Sequence, residues 1–158
     1  MNNITVSVTF GEIEANNLIP SDIPAKEFRD NIYRLQNEML EMTEHHTEPP
    51  LIHYFAPGMY GREMTINAGV TIVGKIHKHA HINIISKGTI RVETEFGSAI
   101  YKAPYTFISE PGTKRCVHAI TETIWTTVHA VESTDLEEIE KEVIAEDFDQ
   151  LRIEGVSI

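Results

Sequence analysis

The feature that most constrains the fold is a series of short β-rich segments that fills residues 51–131, punctuated by frequent turn signals. Helical stretches do not alternate with these segments, and no glycine-rich phosphate loop follows them, which argues against a doubly wound α/β fold. Many short strands with frequent turns are typical of a sandwich, a jelly roll or a small barrel. The segments are LIHYFA, MYGREMTI, GVTIVG, HINIIS, TIRVETEF, SAIYKA, YTFIS, RCVHAI and TIWTTVHAV.

One helix is predicted on each side of this region. Residues 4–10 alternate valine with polar residues and predict an opening strand, and Ser21-Asp22-Ile23-Pro24 then predicts a helix start. Ser133-Thr134-Asp135 is a capping pattern for a C-terminal helix over residues 134–147. We expect a single domain over residues 1–158, with the first strand and helix in residues 1–45 and the barrel in about residues 51–131. The apolar positions of the first helix are Ala25, Phe28, Ile32, Leu35, Met39 and Met42.

The acidic balance of the chain limits its partners. The net charge is −11 and the pI is near 5.1, which argues against binding of a nucleic-acid polymer, because such a surface needs clustered Lys and Arg. No apolar run approaches the roughly 20 residues of a membrane span, and the first residues lack the pattern of a secretory signal. The single cysteine, Cys116, suits a reducing compartment. We therefore expect a cytoplasmic protein.

Histidines are concentrated in the predicted barrel, where five of the eight lie between positions 77 and 129. His77, His79 and His81 alternate, so in an extended strand all three side chains project from one face, with Lys75 and Asn83 beside them. Neutral imidazole is a common ligand of divalent metals, and a strand holds such ligands rigidly. The pattern predicts a site for Fe, Mn, Ni or Zn, and the alternative is a polar strand on the surface.

The same segment resembles the first motif of the cupin superfamily. That motif has a glycine, a His-x-His pair, a glutamate and a second glycine at fixed spacings, and Gly69, His77 and Gly88 stand at matching positions here. Lys75 stands where the motif has its first histidine, and His81 stands where it has its glutamate. The spacing of the motif therefore matches, and the set of ligands matches in part.

A second, weaker cupin motif follows. Gly112 matches its glycine and puts Arg115 at the position of the ligating histidine, while the nearest histidine is His118. Phrases such as GKIHKHAHINIISKG also resemble small cupin-like proteins of tailed bacteriophages. The resemblance covers residues 51–131. It implies a cupin-type double-stranded β-helix, which is a mainly β jelly-roll barrel, with an N-terminal and a C-terminal helix.

Cations at two ligand positions leave two interpretations of the barrel pocket open. In the first, histidines bind a divalent metal while Lys75 and Arg115 hold an anionic substrate. In the second, no metal binds, and Lys, Arg and His together recognise a phosphate or a carboxylate. The candidate metal ligands are His77, His79, His81 and His118, and the candidate contacts of a small anionic ligand are Lys75, His77, His81, Arg115, His53 and Arg62.

Three functions remain open at this point. The chain is a metal-dependent enzyme acting on a small polar molecule, a phage-encoded binder that sequesters a nucleotide immune signal, or a structural protein of the virion. Ala80, Ile82 and Ile84 have the parity opposite to the histidines and would form an apolar outer face. Because such a face needs covering, we expect a homodimer or a larger closed oligomer.

Overall fold

We describe the fold from a computed structural model, in which residue 16 and residues 18–155 are described. The strand predicted for residues 4–10 lies outside these residues. Within them the chain forms three α-helices and a set of short antiparallel strands. None of these helices is both long and apolar enough to cross a membrane.

Ten of the described strands build two antiparallel sheets, and β5 lies apart from both. The strand bounds are β1 Leu18–Pro20, β2 Leu51–Ala56, β3 Met59–Ile66, β4 Thr71–Val73, β5 Ile76–His77, β6 His81–Lys87, β7 Thr89–Thr94, β8 Gly97–Lys102, β9 Tyr105–Ser109, β10 Cys116–Ala119 and β11 Thr123–His129. One sheet has the order β1-β8-β7-β10-β4 and the other the order β2-β3-β11-β6-β9. Strands distant in sequence, such as β3 and β11, are therefore neighbours, as in a jelly roll rather than a simple meander.

The main core lies between the two sheets. Ile90 and Val117 reach it from the first sheet, and Ile85 and Trp125 reach it from the second. Ile85 and Ile90 are completely buried, at 0% exposure. Each sheet therefore places alternate side chains inward, which confirms the prediction of a mainly β jelly-roll barrel.

Helix α1 spans Ala25–Glu41, where the apolar spacing of three and four predicts it. Ile32 and Met39 of the predicted apolar stripe are buried. Tyr33 packs edge-on against Phe148, with the ring centroids 6.0 Å apart. The helix therefore joins the barrel to the C-terminal segment of the chain.

The C-terminal segment contains two helices where one was predicted over residues 134–147. Helix α2 spans Leu136–Val143, and Asp135 caps it by accepting hydrogen bonds from two backbone N–H groups of the first turn. Strand β12, Ile144–Ala145, then pairs with β5, and helix α3 follows over Phe148–Ile153. Helix α2 ends early because the extended residues of β12 complete a two-stranded sheet at the rim of the barrel.

Candidate metal centre

Residues 75–83 form two strands rather than one. Strand β5 ends at His77 and β6 begins at His81, with a bend between them. Lys78 lies in this bend, where its backbone N–H and its Nζ donate to carbonyl groups of α2 at 2.8 and 3.0 Å. The expectation of one continuous inward-facing strand is therefore wrong, and His79 is exposed.

Three histidines from three strands meet inside the barrel. His77 lies on β5, His81 on β6 and His129 at the end of β11. The ring centroids of His77 and His81 are 4.2 Å apart, those of His81 and His129 are 4.7 Å apart, and those of His77 and His129 are 5.1 Å apart. Each ring offers one nitrogen within 4.8 Å of the nitrogens offered by the other two. We call these three residues the histidine cluster.

Strand alternation explains why these side chains point inward. On β6, His81 has the parity of Asn83, which is 0% exposed. On β11, His129 has the parity of Trp125, which belongs to the main core. The antiparallel register pairs Ile82 with Val128, so the two histidines lie at the same height in neighbouring strands.

The hydrogen bonding of His81 leaves one ring nitrogen unused. Its Nδ1 lies 3.2 Å from the carbonyl oxygen of His79, which can only accept, so the proton lies on Nδ1. Nε2 is then a lone-pair acceptor. It is buried and has no hydrogen-bond partner among the described residues. A histidine that donates one N–H to a carbonyl and turns the other nitrogen into a cluster has the arrangement of a metal ligand.

Burial keeps the histidine cluster neutral. Burial lowers the pKa of His81 to about 4, with a further lowering by the nearby positive charge of Arg115. Burial and then the neighbouring His81 lower the pKa of His129 to about 4. Burial also holds the pKa of His77 well below its usual range. Because only neutral imidazole offers a lone pair, all three rings are in the form that binds metal.

The donor set fits a divalent transition metal. The described group contains three imidazoles and no thiolate or carboxylate, a set that suits Zn, Fe, Ni or Cu better than Mg or Ca. Three protein ligands leave coordination positions for water or a substrate, as in catalytic rather than structural sites. The unpaired Nε2 of His81 gives an independent reason to place an electrophile here.

The histidine cluster lines a cavity of about 1150 Å³ between the sheets, α1 and α2. His53 and Arg62 line the same cavity and are partners in the register of β2 and β3. His53 Nδ1 forms a hydrogen bond with the hydroxyl group of Tyr60 at 2.8 Å, and the Tyr60 ring stacks on His129 at 6.3 Å. The two sequence-predicted residues His53 and Arg62 therefore lie beside the cluster.

The other sequence-predicted residues fall into different places. Arg115 lines the cavity, because it has the parity of the core residue Val117. His118 has the opposite parity, turns away from the cavity and hydrogen-bonds to Thr71 at 2.8 Å. Lys75 lies at the rim, where it forms an ion pair with a glutamate of α2. The structure thus brings Arg115 into the cavity that the histidine cluster lines, and it places His118 outside this cavity.

His129 is the site residue that the sequence analysis did not select. The sequence does contain a signal for His129. It lies four residues after Trp125 on the same strand, so its side chain is on the face that Trp125 was expected to turn toward the core. Its position beside His81 depends on the register between β6 and β11. That register joins residues from 37 to 46 positions apart in the sequence, and no local pattern specifies it.

Neither the models of known protein families nor the sequences of curated proteins match this chain. Among solved structures, an ectoine synthase from P. lautus is 13% identical, over 60% of this chain and 72% of that one, with a TM-score of 0.50. A cupin-2 domain containing protein from Shewanella frigidimarina NCIMB 400 is 11% identical, over 61% of this chain and 92% of that one, with a TM-score of 0.44. At such identities the likeness concerns the fold alone. This chain has the cupin-type double-stranded β-helix fold.

Proposed function

We propose that the barrel binds one divalent transition metal through His77, His81 and His129, and that the same cavity takes up a small anionic ligand. The observation that carries the metal proposal is the buried Nε2 of His81, which lacks a hydrogen-bond partner among the described residues. When bound, such a metal supplies Lewis acidity at its open positions. The protein supplies three neutral rings, held on separate strands and shielded from water.

The charges around the cavity support the anionic ligand. The chain as a whole carries a net charge of −11, yet Arg62, Lys114 and Arg115 all line the cavity. Burial lowers the pKa of Lys114 to about 8, so this cation also lies in a desolvated place. A local excess of buried positive charge in an acidic protein favours an anion that enters the cavity. The charge of Lys75 is already compensated, because Lys75 forms an ion pair with Glu140 at the rim.

Metal analysis and titration of the untagged protein test the proposal. We expect close to one equivalent of metal per chain, and calorimetric titration of metal-free protein with Zn²⁺ or Mn²⁺ should show one site. His81→Ala or His129→Ala should weaken binding by more than the roughly 10–100-fold that loss of an outer-shell partner costs. His79→Ala and His118→Ala are matched controls and should bind as the wild type does. Metal binding that is absent, or that is equal in His81→Ala, contradicts the proposal.

We further infer that a second copy of the chain covers the outer face of the sheet β2-β3-β11-β6-β9. The strand register aligns Tyr54, Gly61, Val128, Ile82 and Ile108 in one row across all five strands. Of these, Tyr54 is 49% exposed, Ile82 is 43% exposed and Ile108 is 63% exposed. An exposed apolar row of this length needs covering, and the same row of a second copy can cover it about a two-fold axis, which favours a homodimer.

Light scattering with size-exclusion chromatography tests this inference. The wild type should elute with twice the mass of one chain at micromolar concentration. Ile82→Lys combined with Ile108→Lys should give the monomer, because paired lysines would lie opposite one another across the interface. Phe96→Lys, which changes an exposed residue of the β7–β8 turn, is the control and should stay dimeric. A wild type that is monomeric contradicts the inference.

A further inference from the structure

Arg115 lies in the cavity among neutral side chains. Its Nη2 donates to the hydroxyl oxygen of Ser109, and its Nη1 lies 3.5 Å from the side-chain oxygen of Asn83. The guanidinium carbon is 5.9 Å from the ring centroid of Phe107 and 5.6 Å from that of Trp125. A guanidinium has five N–H donors. These two contacts use two of them, so the other donors can bind a ligand.

Arg29 and Arg91 are partly buried arginines with carboxylate partners, whereas Arg115 has no carboxylate partner among the described residues. Arg29 forms two parallel hydrogen bonds with Glu95 at 2.9 and 3.2 Å, and Arg91 pairs with Glu93 at 2.5 Å. No Asp or Glu among the described residues forms an ion pair with Arg115. A buried cation without a counter-charge is costly, so this position is prepared for an anion that comes from outside the chain.

A hydrogen-bond network fixes the direction of the guanidinium. Trp125 Nε1 donates to Asn83 Oδ1 at 2.9 Å, and Asn83 Nδ2 donates to Ser109 Oγ at 2.7 Å. Asn83 is 0% exposed and Ser109 is 4% exposed, so neither side chain has room to move. The two acceptors of Arg115 are thereby held in place, and a ligand meets an oriented fork rather than a mobile cation.

We propose that Arg115 binds the carboxylate group of a small organic monocarboxylic acid, whose apolar body lies in the inner part of the cavity. The inference rests on the proposed function in that both use this cavity, and it narrows the anionic ligand to one chemical class. The guanidinium fork matches a planar carboxylate through two parallel N–H donors.

The surroundings of Arg115 select a singly charged ligand with apolar carbon atoms. The aromatic rings of Phe107 and Trp125 flank the guanidinium, and Ile72 and Val117 line the cavity wall nearby. One carboxylate neutralises one guanidinium, whereas a phosphate dianion bound at Arg115 would turn its second charge toward the aromatic rings of Phe107 and Trp125. The same walls bury hydrocarbon, at about 25 cal/mol per Å² removed from water.

A carboxylate at Arg115 lies within electrostatic reach of the histidine cluster. Arg115, His77 and His81 line the same cavity, so the positive field of the guanidinium extends to both rings. That positive field opposes a metal cation on the same rings. A bound carboxylate reduces the field, so acid and metal should favour each other's binding to an equal extent.

Calorimetric titration of the EDTA-treated, metal-free protein tests the proposal. The probes are sodium propionate, butyrate and benzoate, with inorganic phosphate and AMP as comparison anions. We expect the carboxylates to bind, and Arg115→Gln to weaken them by about tenfold or more. Arg91→Gln is the matched control on the outer face of β7 and should bind as the wild type does. If Arg115→Gln does not fold, Arg115→Lys serves instead, because it keeps the charge, loses the fork and should still weaken binding.

Three results overturn the proposal: no carboxylate binds, carboxylates bind the Arg115 variants as tightly as the wild type, or phosphate or AMP binds more tightly than every carboxylate. The metal function is tested separately, by titrating Zn²⁺ into Arg115→Gln, which should bind the metal at least as tightly as the wild type does. If the wild type binds no metal, the metal proposal fails, while the carboxylate result on metal-free protein still stands or falls by itself.

Discussion

The two ends of the barrel interior are built from the same strands and have opposite character. On β6, Ile85 lies at the apolar end and His81 at the other, and on β11, Thr123 and His129 are separated in the same way. All four side chains point inward and are at least 95% buried. Strand geometry therefore decides which residues are inside, and position along the strand decides whether they pack or bind.

The apolar end also supplies the stability that allows the fold to contain the histidine cluster. The apolar end contains Ile85, Ile90 and Ala119, all 0% exposed, and its burial supplies stability. The histidine cluster contains rings whose charged form burial disfavours, and one ring nitrogen lacks a partner among the described residues. Buried polar groups without partners are expected at functional sites, because such residues are present for binding and not for the stability of the fold.

The largest expected difference between the two ends is in their response to acid. His81 and His129 have a pKa of about 4 in the folded chain, below the ordinary value of 6.5. Between these values the unfolded chain binds more protons than the folded one, so the stability of the metal-free protein falls as the pH falls from about 6.5 to 4. The expected slope is about 1.4 kcal/mol per pH unit for each histidine.

Urea unfolding in EDTA at several pH values between 7 and 4.5 measures this slope. His129→Gln should reduce the slope by the contribution of one histidine, which is about 1.4 kcal/mol per pH unit. An equal slope in His129→Gln and in the wild type would show that the ring is not kept neutral by the fold.

The next largest effect is a cavity at the apolar end. Ile90→Ala removes a side chain that is 0% exposed and should lower the free energy of unfolding by about 2–5 kcal/mol. Because the histidine cluster lies at the other end, metal affinity should not change in the protein that remains folded. Ile153→Ala, at a position that is 86% exposed, is the control for the chemical change. A parallel loss of metal binding would show that the two ends are coupled.

The smallest effect is expected at the rim. Lys75 and Glu140 form an ion pair whose side chains are 39% and 50% exposed. Lys75→Ala should therefore change the free energy of unfolding by less than about 1 kcal/mol. Titrations of metal and of benzoate should match those of the wild type. Weaker binding of the metal or of benzoate would show that Lys75 belongs to the site, as its position in the sequence motif predicts.

Local patterns in the sequence predicted the fold, because each strand and turn is specified by neighbouring residues. Helix α1 follows the spacing of Ile32 and Met39. The capping pattern at residues 133–135 places the N-cap of α2 at Asp135, so this helix begins at Leu136, two residues after the predicted start at residue 134. The break between β5 and β6 was not predictable in this way. It depends on Lys78, whose hydrogen bonds reach carbonyl groups of α2 more than 60 residues away.

The site was predicted in part, for the same reason. Parity with a core residue places Arg115 inside, beside Val117, and it turns His118 away. Parity also marks His129, but only the register between β6 and β11 brings it next to His81. Alternation within one segment therefore predicts which face of a strand a residue occupies. Which residues form the site depends on the register that aligns neighbouring strands.

We propose that three imidazoles from three strands bind one metal ion. X-ray absorption at the zinc edge of zinc-loaded, untagged protein counts those rings directly. We expect three imidazole nitrogens at about 2.0–2.1 Å from the zinc in the wild type, and two in His129→Ala. A shell of oxygen ligands with at most one imidazole, or a spectrum that is unchanged in His129→Ala, would contradict it.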